Sequence, residues 1–84
     1  MATILGVTIR RAPGEILETA RVGLRDKPAL AARFQTWFVP VDGNRVAPKW
    51  LVSELSGLPV GMFRTADALR VLASLGVETK KNTL

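Results

Sequence analysis

The chain has 84 residues and a formal net charge of +5, from 12 Lys and Arg against 7 Asp and Glu, with neither cysteine nor histidine. That length suits one small domain with a thin core, and a 48% hydrophobic content argues against disorder. Without cysteine there is no disulfide or thiolate metal site, and without histidine the commonest metal ligand and the usual general base near neutral pH are gone.

The first patterned run, "TILGVTI" at residues 3–9, reads as a strand. Leu5, Val7 and Ile9 would share one face, with Gly6 and Thr8 opposite, although Ile4 breaks the alternation. No basic region precedes this run, and it is too short to cross a membrane. It therefore reads as structure and not as a signal, and a soluble, cytoplasmic protein is expected. Ala12-Pro13-Gly14-Glu15 opens a helix, with proline in its first turn and Glu15 and Glu18 near the positive end of the dipole. Ile16, Leu17, Ala20 and Leu24 line its inner face, and Gly23 weakens its end. In the next segment, "RDKPALAARF", Asp26 can cap a short helical turn with Leu30 inward and Arg33 outward.

The period then changes. Trp37, Val39 and Val41 alternate with Thr36, Phe38 and Pro40, as on a pleated strand. Asp42-Gly43-Asn44 marks a turn, and Arg45-Val46 returns as a second strand. Pro48 starts a helix with Leu51, Val52 and Leu55 inward, and Gly57 stops it. Val60, Met62 and Phe63 point to the core. Thr65 reads as the N-cap of a last helix that ends at Gly76, with Leu69, Leu72 and Leu75 inward and Val71 a candidate for exposure. Residues 77–79 suit a final short strand, and 80–84 should fray. The order is β-α-(α)-β-β-α-α-β. It predicts an α+β domain over residues 1–79, with three to four short helices packed on a small sheet containing a β-hairpin.

No catalytic constellation appears. A serine nucleophile needs a base, and the nearest carboxylate pair, Glu15 and Glu18, sits where a helix start ordinarily places acid. No glycines have phosphate-loop spacing to a lysine followed by Ser or Thr. The chain is expected to be no enzyme, and to need no cofactor, metal or membrane.

The positive charge instead favours phosphate-bearing partners. Arg21, Arg25, Lys27 and Arg33 form one candidate cluster for backbone phosphates. The two C-terminal helices resemble a helix-turn-helix in order, with Arg64 and Arg70 on the outer face of the second. Against this, Gly57 to Thr65 is a long joint, and that face lacks the Asn and Gln that read bases alongside Arg. Exposed arginines on an amphipathic helix are ordinary. The hairpin tip carrying Arg45 offers a wing, or a plain turn. Trp37, Phe38 and Trp50 can stack on bases if exposed, or can fill the core.

From residue 39 to 78 the chain resembles the small N-terminal head module of modification-dependent HNH restriction endonucleases. The matching residues are Gly43, Pro48, Lys49, Gly57, Phe63, Leu72, Leu75 and Gly76. The resemblance implies a free-standing DNA-associated module, with Lys49 as the one carried-over contact. The histidines of the nuclease site are missing, so no nuclease activity is implied. Two readings stand: a DNA-binding module gripping phosphates, and a protein-interaction module such as a phage-type regulator, an inhibitor or a complex subunit, self-association as a homodimer included.

Overall fold

The computed structural model describes residues 1–33 and 36–82. The α+β class and the order of elements are as the sequence predicts, with four α-helices and two small antiparallel sheets among the described residues. The chain starts with a hairpin where a single strand was expected. β1 (Ala2–Ile4) pairs with β2 (Val7–Ile9), Ala2 opposite Ile9 and Ile4 opposite Val7. The reversal is Leu5-Gly6, at φ 47° and 81°. Two-residue hairpin loops favour positive φ at both positions. Gly6 adopts it freely, whereas Leu5 does so against a Cβ clash and exposes 59% of its surface. Leucine is no turn signal, so the reversal is hidden in the sequence. Ala2, Ile4 and Ile9 are buried, which replaces the expected Leu5-Val7-Ile9 face.

Helix α1 (Pro13–Asp26) begins with the Ala12 N–H donating to Glu15 Oε1 at 3.1 Å. Ile16, Ala20 and Gly23 are buried, and Leu17 and Leu24 are half-buried. Asp26 does not cap the next helix; it closes α1 and accepts from Arg25 Nε at 3.0 Å. Helix α2 (Pro28–Ala31) is a single turn, and its inward residue is Ala31, while Leu30 is 51% exposed. The anchor is backbone: the Ala47 N–H donates to the Ala31 carbonyl at 2.6 Å, which turns Ala31 inward and Leu30 away.

The second sheet has the order β4-β3-β5. β3 (Trp37–Val41) and β4 (Asn44–Val46) join through Asp42-Gly43, at φ 51° and 81°. Their inner residues Val39, Val41 and Val46 are buried. β5 is Lys80–Lys81, paired with Phe38 and Trp37, so these lysines do not fray. The expected strand at 77–79 is displaced because Val77 serves the end of a helix: its N–H donates to the Leu72 carbonyl at 2.9 Å. The Asn82 N–H donates to the Thr36 carbonyl at 2.6 Å and extends the β5 pairing. The expected fraying of Thr83 and Leu84 lies outside the described residues.

Helix α3 (Pro48–Ser56) is central, touching α1, α2, α4, β2 and β3. Trp50, Leu51 and Val52 are buried along it. It stops at Gly57, φ 79°, whose N–H donates to the Ser53 carbonyl at 2.8 Å, as a left-handed cap requires. The joint to the last helix holds a 3₁₀ turn, Val60–Met62. This turn bulges outward, leaving Val60 45% and Met62 58% exposed, and only Phe63, in extended backbone after it, returns to the core at 5%. Helix α4 (Thr65–Ser74) includes Thr65 within its first turn. The capping contact comes from Asp67, whose Oδ2 accepts from the Arg64 N–H at 3.0 Å. Ala68, Val71, Leu72 and Leu75 are buried, with Leu69 half-buried, so the inner stripe includes Val71.

Candidate functional site

A groove of about 610 Å³ opens beside the start of α3. Arg33, from the exit of α2, lines it with Lys49 from the first turn of α3 and Lys81 from β5. Three separate elements thus bring three cations together. No carboxylate occurs among its described lining residues. Its walls also include Trp37, Trp50, Leu30 and Val60.

Each of these placements has a physical cause. Trp37 and Lys81 are direct cross-strand partners, so they share one sheet face. That face carries Val39 and Val41 into the core, and Trp37, at the strand's end, extends half-buried to the groove. Lys49 sits in the first turn of α3, where the helix dipole disfavours a cation. Its Nζ lies 5.9 Å from the Phe63 ring centroid, near the limit of a cation–π contact. No ion pair to Arg33, Lys49 or Lys81 occurs among the described residues.

A smaller hollow of about 370 Å³ lies on the other side of Trp50. Glu18, Asp26 and Glu54 line it, with Lys27 as its cation. Here Trp50 meets α1 at Gly23: a Cβ at Gly23 would collide with three carbons of the indole ring. The glycine that weakens the helix end is the seat of this tryptophan.

The other sequence-predicted contacts do not converge on the groove. Arg21 donates to Asp42 Oδ2 at 2.6 Å and to Glu18 Oε2 at 3.1 Å. Those bonds, Asp42 first and then Glu18, hold its guanidinium above its ordinary pKa. Arg25 is raised likewise by its hydrogen bond to Asp26. Both are therefore committed to carboxylates, and Lys27 belongs to the acidic hollow. Arg45 lies on the opposite sheet face, its guanidinium carbon 5.1 Å from the Phe38 centroid. Arg70 approaches the hairpin, with both terminal nitrogens 3.5 Å from the Thr3 carbonyl oxygen. Arg64 is exposed at the entrance to α4, next to Thr65, which lines the groove. The sequence reading missed Lys81. Only its pairing with Trp37 brings it to the site, and nothing local in the C-terminal residues signals that pairing.

The two C-terminal helices are separated by residues 57–64, with their own 3₁₀ turn between them. That joint exceeds the roughly three to four residues of a helix-turn-helix. No protein-family model matches the chain, and neither a curated protein nor a solved structure matches it. Most of the residues that carry the resemblance to the endonuclease head module are turn, cap and core positions here: Gly43 and Gly57 have left-handed φ, Pro48 opens α3, and Phe63, Leu72 and Leu75 are buried. Among the described residues, no helix is long and apolar enough to cross a membrane, and no group of three or more acidic side chains is placed to hold a metal ion.

Proposed function

We propose that this chain is a non-catalytic nucleic-acid-binding module, directed to DNA and contacting mainly phosphates. The observation that carries the reading is the groove, where Arg33, Lys49 and Lys81 meet with no described carboxylate among them. Clustered cations release counterions when they engage phosphates, and this release drives binding. The surface differs from the helix-turn-helix-like one suggested by the order of the C-terminal helices. Helix α4 offers one arginine turned toward β1 and an acidic residue, Asp67, in its first turn, so it supplies little for base reading. The resemblance of residues 39–78 to a DNA-associated head module points the same way, since its one carried-over contact, Lys49, lines the groove.

The test is fluorescence anisotropy with labelled DNA, single-stranded and duplex, at low salt. Binding should weaken steeply as salt rises, and Lys49→Glu should lower affinity by roughly tenfold or more, because it removes one phosphate contact and adds repulsion. Absence of binding to every oligonucleotide at low salt would overturn the reading.

A protein-interaction module is the second reading, favoured by exposed Leu30 and Val60 in the groove's lining and by exposed Met62 two residues beyond Val60. Light scattering after size exclusion tests its self-associating form. A dimer disrupted by Met62→Ser would support it, and a monomer at all concentrations would remove that form.

A further inference from the structure

We infer that the groove is shaped for a single-stranded nucleotide chain, with a base laid on Trp37 and its flanking phosphates held by Arg33, Lys49 and Lys81. The inference rests on the nucleic-acid reading above and specifies its ligand. Three observations lead to it. The cations surround an aromatic wall, where a site for phosphate alone would need no ring. Trp37 is only half-buried, although a core of this size has use for every large aromatic, and its unburied part is in the groove. The site is concave, about 610 Å³, within the size range of pockets that enclose a small ligand.

A duplex keeps its base faces stacked inside, so it has no π-face to offer a recessed tryptophan. An unpaired base does, and stacking on an aromatic ring tolerates any base. Lys81 has a specific place in this scheme. It is the direct cross-strand partner of Trp37, so the phosphate contact and the stacking platform are fixed to each other by the sheet. Arg33 follows the end of α2 and Lys49 lies in the first turn of α3, so the nucleotide backbone would run between the sheet edge and α3.

The experiment compares labelled dT and rU oligomers of about 12 nucleotides with a mixed-sequence duplex of equal length, by anisotropy at low salt. Binding to dT or rU should be roughly tenfold tighter than to duplex, and three phosphate contacts give a log–log salt slope near about −2 on a single strand. Trp37→Ala should weaken the single strand by about five- to 150-fold, the range expected for loss of one stacked base, and leave duplex affinity within about twofold. Trp37→Phe should retain most of the affinity, which separates lost stacking from lost folding. Intrinsic fluorescence supplies a reading without substitution: dT should quench the wild type and leave Trp37→Phe, which reports only Trp50, much less changed. Duplex binding equal to or tighter than dT would overturn this inference while leaving the nucleic-acid reading intact. So would a folded Trp37→Ala protein with unaltered dT affinity. If neither form binds at low salt, the underlying reading fails as well.

Discussion

Trp50 divides two hollows of opposite charge. On one side Arg33, Lys49 and Lys81 line a groove with no described carboxylate. On the other, Glu18, Asp26 and Glu54 surround a smaller space with Lys27 alone among them. The chain's net charge of +5 is therefore unevenly spread. The α1 side has two arginines against the groove's one, yet both are satisfied by carboxylates: Arg21 by Asp42 and Glu18, Arg25 by Asp26. A cation already holding a carboxylate must give it up to take a phosphate, and one without a partner need not. Counting basic residues does not find a binding surface; finding which lack a carboxylate does.

The largest expected effect comes from breaking the partition itself. Gly23→Ala drives a methyl into the six-membered ring of Trp50, which is buried. Overpacking of this kind costs typically 1–3 kcal/mol, roughly, and here it should reach or exceed the upper end. Gly14→Ala is the control, since a Cβ there meets nothing within 4 Å. Urea unfolding of the two variants should show a large loss for the first and no loss for the second.

Charge tests of the two hollows come next. Lys49→Ala and Arg33→Ala should each weaken DNA binding several-fold and reduce the salt slope by about 0.7, as loss of one single-strand phosphate contact does. Arg21→Ala and Arg25→Ala, on α1, should stay within about twofold, because their charge is already paired. Anisotropy titrations over a salt series decide between these outcomes, and equal losses on both sides would erase the distinction.

A smaller effect is expected away from both hollows, where the two hairpin turns differ. Asp42 suits a left-handed turn position, and Leu5, at φ 47°, does not. Leu5→Asn should stabilise the protein by about 0.5–1 kcal/mol, part of the penalty for a left-handed L-residue. Thermal melting should show a raised midpoint.

The smallest effect is of pH. No histidine is present, so no side chain titrates ordinarily near neutrality. Arg21 and Arg25 are raised in the folded protein. A raised pKa stabilises fully below the unfolded value and is lost only as pH rises through the folded one, far above neutral. DNA affinity and Tm should both be nearly flat between about pH 6 and pH 8. A marked transition in that window would contradict this account of the charges.

Much of the fold is legible in local chemistry. Pro13, Pro28 and Pro48 each open a helix, Gly57 and Gly76 each close one, and Asp42-Gly43 turns a hairpin, because each of these residues restricts or frees its own backbone. The turn at Leu5-Gly6 was not legible, since its leucine adopts a strained conformation that only the pairing of β1 with β2 sustains. The outward bulge of Val60 and Met62 was not legible either, because nothing in an apolar residue says whether the core has room for it.

The candidate site divides the same way. Arg33 and Lys49 were readable as exposed cations, and Trp37 as an aromatic that could face either way. What no stretch of sequence contains is their meeting. Lys81 reaches the groove only through its pairing with Trp37, and Arg21 gains Asp42, its shorter contact, only because the β3–β4 turn brings that residue beside α1. By itself the sequence determined the helices, most of their proline and glycine boundaries, the β3–β4 hairpin and the sign of the charge, all of which depend on neighbours within a few residues. The tertiary structure alone brought Asp42 to Arg21 and brought Arg33, Lys49 and Lys81 together, because these distances in space close only when the chain folds.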